Sequence, residues 1–204
     1  MEWLVPECYR RITPNRYWAG YKPEKIEPIE AIIYHYTASL GTSGTLSWLT
    51  DPTAKASAHF LVSRDGSYYQ MASLAERTWH AGGSTSTLFD KPNVNGRTIG
   101  IEIMNVGPLV EIDGKVYSTI DMAREFKGSI AHYTGDKYKY SLWEAYSPTQ
   151  MDVVCEITRK LLTEFPIVGT EPEIRMIGHE DVDPSRKLDP GGVFNWNQIR
   201  DLAV

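Results

Sequence analysis

Two runs of the chain read as strands. Ala31 to Tyr36 (AIIYHY) is β-branched, apolar or aromatic at every position but His35, as a buried strand requires. Arg97 to Asn105 (RTIGIEIMN) alternates Ile99, Ile101 and Ile103 with smaller or polar residues. Ser57 to Arg64 and Ser67 to Ala72 flank Asp65-Gly66, a two-residue hairpin turn. A helical period appears over residues 148 to 165, where Met151, Val154, Cys155, Ile157, Thr158, Leu161, Leu162 and Phe165 form one apolar stripe. Ser147 is placed to cap that helix, Pro148 to open it, and Gln150 to complete a capping box. Shorter elements are expected as a helix at 43 to 50, a strand at Glu173 to Ile177 and a helix from about Asn195.

Three stretches lack a period. Residues 1 to 29 are broken by Pro6, Pro14, Pro23 and Pro28, and read as an irregular arm whose aromatic residues pack on the domain. Residues 84 to 97 read as a polar surface loop. Residues 106 to 146 contain one hairpin signal at Asp113-Gly114 and seven aromatics from Tyr117 to Tyr146. They read as an elaboration inserted into one domain. Strands alternating with helices, with hairpins between, predict an α/β or mixed α+β fold: a central mixed sheet flanked by helices. The expected organisation is an arm, 1–29, followed by a domain, 30–204, carrying the insertion at 106–146.

Composition narrows the function. A chain of 204 residues with 42% hydrophobic and 23% charged positions is ordinary for a globular protein. The net charge of −5 argues against a nucleic-acid binder, which usually shows a basic face. Two cysteines, Cys8 and Cys155, make neither a disulfide framework nor a metal cluster, and Cys155 falls on the apolar stripe. The start Met1-Glu-Trp-Leu-Val-Pro lacks the basic opening and apolar core of a secretory signal. No run reaches the ~18 apolar residues of a membrane span. The expectation is a chain made in the cytoplasm without membrane insertion.

The candidate chemistry sits where strands meet loops. His35 lies near the end of the first strand, and His179 opens the loop that follows the last. Two imidazoles and a carboxylate are a donor set for a catalytic zinc with one position left open. On spacing alone Glu180, Asp181, Asp183 and Asp189 compete as the third ligand. Glu102 shares a strand face with Gly100, which leaves room beside it. A glutamate within an apolar strand calls for a partner or a task. Lys187, two residues from Asp189, is placed to donate to a developing oxyanion.

Six short motifs, in order, resemble one known family. They are Tyr34-His35-Tyr36-Thr37-Ala38-Ser39, Ser57-Ala58-His59-Phe60, Arg64-Asp65-Gly66, Trp79-His80-Ala81-Gly82, Asn95 through Glu102, and Gly178-His179 through Arg186-Lys187-Leu188-Asp189-Pro190-Gly191. Together they resemble the zinc-dependent N-acetylmuramoyl-L-alanine amidases, which share a fold with phage lysozyme-type amidases and peptidoglycan recognition proteins. The resemblance implies one zinc ion held by His35, His179 and Asp189. It implies that Glu102 handles the water proton and that Lys187 steadies the tetrahedral intermediate. It places Trp79, His80 and Asn95 at the substrate groove, with Arg64 and Arg186 meeting peptide carboxylates. His59 is expected to be structural or to support the ligands from behind, and His132 to be a surface residue. Some branches of the family carry a cysteine at the third ligand position; here that position is Asp189.

The implied reaction is hydrolysis of the amide between muramic acid and the L-alanine of the stem peptide. The expected partner is peptidoglycan or a muropeptide, met by a monomer. The aromatic arm and the long insertion favour a lytic role, as in a phage endolysin released to the cell wall. The alternatives are a cytoplasmic amidase recycling anhydro-muropeptides, as the Arg-Lys-x-Asp-Pro-Gly ending suggests, and a non-catalytic peptidoglycan-binding module.

Overall fold

The computed structural model describes residues 28–51, 53–82, 93–164, 167 and 175–203. The arm, apart from its last two residues, and most of the 84–97 loop lie outside the described residues. The elements are β1 (Ala31–Tyr36), α1 (Thr42–Leu49), β2 (Phe60–Val62), β3 (Tyr68–Gln70), a 3₁₀ turn (Val94–Gly96), β4 (Thr98–Ile103), β5 (Pro108–Ile112), β6 (Lys115–Ser118), β7 (Asp121–Glu125), β8 (Ile130–His132), β9 (Leu142–Glu144), α2 (Pro148–Glu164), β10 (Met176–Gly178), α3 (His179–Val182) and α4 (Trp196–Arg200). The architecture is mixed α+β.

The first sheet runs in the order β10-β1-β4-β2-β3. Its inner strands are parallel, with Tyr34 opposite Gly178 and His35 opposite Glu102, and only β3 is antiparallel. One face carries Ile32, Tyr34, Phe60, Val62, Ile99, Ile101 and Ile103 against the stripe of α2, from Met151 through Val154 and Cys155 to Leu161. Tyr34 buries a hydroxyl in this core. Thr158 spends its own proton on the Val154 carbonyl, so the Tyr34 hydroxyl donates to it at 2.9 Å. On the opposite face Ala31, Ile33 and Ile177 pack with Ala81, Val94 and Val182. The period of two puts His35 and Glu102 on this second face, at the C-terminal ends of their strands. In open sheets with parallel strands that edge is where ligands bind.

The cap of α2 differs in part from expectation. The Gln150 backbone N–H donates to Ser147 Oγ at 3.1 Å, so Ser147 does cap the helix. The Gln150 side chain, however, donates its amide to the Met104 carbonyl at 2.8 Å. This bond to a core carbonyl takes the place of the reciprocal half of the capping box.

The insertion is itself a sheet, ordered β7-β6-β5-β9-β8 and antiparallel wherever strands pair. The expected Asp113-Gly114 hairpin joins β5 to β6. The three other strands had no legible period because β7 is exposed on successive positions and so on both faces, and β8 and β9 are only 3 residues each, too short to show one. At its other end the sheet is tied to the core. Glu144 is buried, and its carboxylate accepts from Arg64 Nε at 2.5 Å, Arg64 Nη2 at 2.9 Å and the Val106 N–H at 2.5 Å.

Candidate metal centre and active site

The parallel register brings the chemistry together. His35 is the last residue but one of β1, His179 follows β10 directly, and Glu102 lies beside His35 in β4. Asp189 returns in the loop after α3, where the Glu180 N–H donates to its carbonyl at 3.0 Å. His35, His179 and Asp189 are all buried and form a three-donor group suited to a metal ion. His35 Nδ1 lies 2.9 Å from His179 Nδ1 and 2.9 Å from Asp189 Oδ2, and His179 Nδ1 lies 3.0 Å from the same oxygen.

That triangle fits a cation better than it fits protons. If both rings donate to Asp189, two N–H groups face each other along the third edge. If only one donates, a nitrogen lone pair faces the carboxylate. No placement of protons satisfies all three edges, whereas three lone pairs around one divalent cation do. The charge states agree. Burial, outweighing the pull of the Asp189 carboxylate, pushes His35 down to about 4, so it is neutral and ligand-competent at pH 7. Burial alone would raise the Asp189 carboxyl; the two imidazoles beside it, His179 and His35, reverse this and hold it well below the usual carboxylate range.

The four acidic candidates for third ligand are now separated. Glu180 is buried but engaged by Lys137 at 2.9 Å and by the Tyr138 hydroxyl. Asp181 accepts from the Gly178 N–H at 2.8 Å, and Asp183 accepts from Arg186 and Ser185. Only Asp189 meets both imidazoles.

Glu102 faces the same cavity of about 330 Å³ as His35, His80, His179, Arg186, Lys187 and Asp189. Its Oε2 is shut from solvent and receives no hydrogen bond. Burial, with the Asp189 charge behind it, pushes its carboxyl up to about 8, against the opposing pull of Lys187. A proton acceptor beside a metal triad, poised near neutrality, is suited to general base and acid work. A second cavity, about 380 Å³, lies under the insertion between Arg64, Arg124 and Lys127. It contains none of the convergent donors.

Other expected groove residues have different partners. Arg64 spends its guanidinium on Glu144 and on the Ser39 and Leu40 carbonyls, which fastens the insertion. Asn95 is buried; its Oδ1 accepts from the His80 and Ala81 N–H groups at 3.0 and 2.8 Å, and its Nδ2 donates to the Gly82 carbonyl at 2.5 Å. It therefore fixes the Trp79–Gly82 loop. The Trp79 ring lies under the Arg77 guanidinium at 4.5 Å. His80 borders the cavity with both ring nitrogens engaged, one by His35 and one by Thr98. Arg186 stands at the cavity with an ion pair to Asp183 and remains exposed. His59 is structural, as expected: its Nε2–H donates to the Glu76 carbonyl, and its Nδ1 accepts from the Gly100 N–H and Thr78. His132 is a surface residue, as expected.

The far end of the insertion, to which no sequence motif assigns a role, grips the Asp189 turn. The Tyr146 hydroxyl donates to the Pro190 carbonyl at 2.8 Å. Gly191 has φ +90°, and a Cβ there would meet the fully buried Trp143 ring at 2.5 Å. The density of aromatics was the signal that pointed there, because side-chain contacts across 44 residues leave no periodic trace.

A family model described as N-acetylmuramoyl-L-alanine amidase matches residues 25–192. The 1,6-anhydro-N-acetylmuramyl-L-alanine amidase AmpD of Salmonella typhimurium is 27% identical over 219 residues, covering 99% of this chain and 92% of its own. The N-acetylmuramoyl-L-alanine amidase AmiD of Escherichia coli is 27% identical over 183 residues, covering 86% of this chain and 54% of its own. Among solved structures, an AmpD selenomethionine derivative superposes with a TM-score of 0.64 at 22% identity, covering 97% of this chain and 95% of that one. The PlyG catalytic domain superposes at 0.51 and 18% identity, covering 85% and 78%. Since the family match spans most of the sequence and contains every one of the convergent donors, the chain belongs to the N-acetylmuramoyl-L-alanine amidase family.

Proposed function

We propose that the protein is a zinc amidase whose substrate is a soluble anhydro-muropeptide, cleaved between muramic acid and L-alanine. The observation that carries the reading is the His35–His179–Asp189 triangle beside a glutamate whose Oε2 is buried and unpaired. A divalent cation held there supplies a Lewis acid and brings the pKa of water to about 7. Glu102 takes the proton of the attacking water and returns one to the leaving amine. Lys187, at the rim of the same cavity, sets its ammonium against the charge that develops on the carbonyl oxygen. Arg186 stands where a carboxylate of the stem peptide enters. The complete set of groups argues against a module that only binds.

The choice of soluble substrate departs from the lytic role that the arm and the insertion suggested. The insertion is used to build the site, so its length is no argument for a polymer groove. The AmpD relative, aligned along nearly its whole length, is named for anhydro-muropeptides. The test is a paired digestion of a purified anhydro-muropeptide and of intact sacculi, with and without a chelator, read by product mass. The reading expects free stem peptide from the soluble substrate, lost on chelation and regained with zinc. Faster release from sacculi than from the soluble substrate returns the lytic role.

A further inference from the structure

The two imidazoles of the triangle are held differently. His35 is the first link of a chain of hydrogen bonds that runs away from the cavity. Its Nε2 lies 3.0 Å from His80 Nδ1, His80 Nε2 lies 3.1 Å from Thr98 Oγ1, and Thr98 Oγ1 lies 2.8 Å from the Val94 carbonyl. The far end decides the direction of every bond. A carbonyl only accepts, so the single hydroxyl proton of Thr98 goes to Val94. Thr98 Oγ1 is then an acceptor, and His80 carries its proton on Nε2. His80 Nδ1 is therefore a lone pair, and His35 must carry its proton on Nε2. This leaves His35 Nδ1 as a bare lone pair pointing at His179 and Asp189.

The chain is also built sterically. The His80 ring occupies the space above Gly100, where any Cβ would collide with it, and Asn95 holds the His80 backbone from the other side. Ring, hydroxyl and carbonyl are all buried, so water does not compete for these bonds.

We propose that Thr98 and His80 are positioning residues that set the tautomer and ring orientation of His35 and so present Nδ1 as a metal ligand. Neither touches the substrate in this role. The inference rests on the zinc reading of the site and deepens it. Groups that orient a ligand from behind typically contribute 10–100-fold to metal affinity.

The first readout needs no variant and no metal. Long-range ¹H–¹⁵N correlation spectra of the metal-free protein, labelled at histidine, report which ring nitrogen of His35 bears the proton. The relay requires Nε2; a proton on Nδ1 overturns it. The second readout is the zinc dissociation constant by competition with a chromogenic chelator. Thr98→Val removes the hydroxyl and keeps the β-branched shape of the strand; it should weaken zinc by about 10-fold or more, and Thr98→Ser should restore it to within about threefold. Equal zinc affinity in Thr98→Val and parent overturns the proposal while leaving the metal site intact. A parent that binds no zinc at all instead removes the amidase reading, and the His35 spectrum still decides the relay. If Thr98→Val does not fold, the parent spectrum decides alone.

Discussion

The two sheets divide the work unequally. The first sheet is parallel at its centre and buried on both faces, and it delivers His35, Glu102 and His179 from the ends of β1, β4 and β10. The second is antiparallel and half solvated, and it offers no donor to the metal triangle. Its aromatic end instead locks the turn that carries Asp189. One sheet positions ligands through backbone register, the other through single side-chain contacts. Register is robust, because a one-residue slip would exchange the two buried faces and send every side chain to the wrong one. Contacts are not, so the Asp189 turn is where second-sheet substitutions should reach the chemistry.

The sharpest contrast is between a substitution that removes a proton carrier and one that loosens a ligand. Glu102→Ala should keep zinc at parental stoichiometry and lose ~10²–10⁴-fold in kcat, since that is the usual worth of positioned proton transfer. Turnover at the parental rate would remove Glu102 from its assigned task. Trp143→Ala, in the second sheet, should cost about 3–5 kcal/mol of stability, as for other buried aromatic residues. It should also weaken zinc binding, because the ring packs on Gly191 beside the ligand turn. Denaturant titration with a parallel zinc titration reads both. Unchanged zinc affinity in the folded variant would mean that the second sheet merely decorates the first.

A pH experiment sharpens the same comparison from the first-sheet side. Burial raises the folded-state pKa of Glu102 from 4.5 to about 8 in the metal-free protein. Its protonated form is therefore favoured by folding. The contribution is fully present below pH 4.5 and is lost as pH rises through about 8. Metal-free Glu102→Gln should match the parent in thermal stability near pH 4 and exceed it by several degrees near pH 9. No divergence across that range would place the carboxylate in water. The smallest effect is expected at Tyr138→Phe, which removes one hydroxyl bond to Glu180. It should cost about 1 kcal/mol, with at most a few-fold change in zinc affinity.

This contrast also explains what the sequence disclosed. The alternation of Ile99, Ile101 and Ile103 revealed the face of Glu102, and the apolar run from Ala31 to Tyr36 put His35 near the end of a buried strand, because both signals are local. Ser147-Pro148 marked the start of α2 for an equally local reason. The choice among Glu180, Asp181, Asp183 and Asp189 was not decided by spacing, since it depends on Tyr138 and Lys137 occupying Glu180, Gly178 occupying Asp181, and Arg186 and Ser185 occupying Asp183. His80 and Asn95 were placed at a groove by resemblance. The structure turns both inward, where their polar atoms meet His35, Thr98 and the loop backbone. Such pairings join residues far apart in the chain and are invisible to any local pattern.

The central claim is that three side chains hold one divalent cation through His35 Nδ1, His179 Nδ1 and a carboxylate oxygen of Asp189. Anomalous diffraction at the zinc edge, on crystals grown with zinc, tests it directly. The account predicts one strong peak about 2.0–2.2 Å from each of those three atoms, with Glu102 nearby and not coordinating. A peak bound elsewhere, or imidazoles turned so that the metal meets Nε2 or no nitrogen at all, would contradict it.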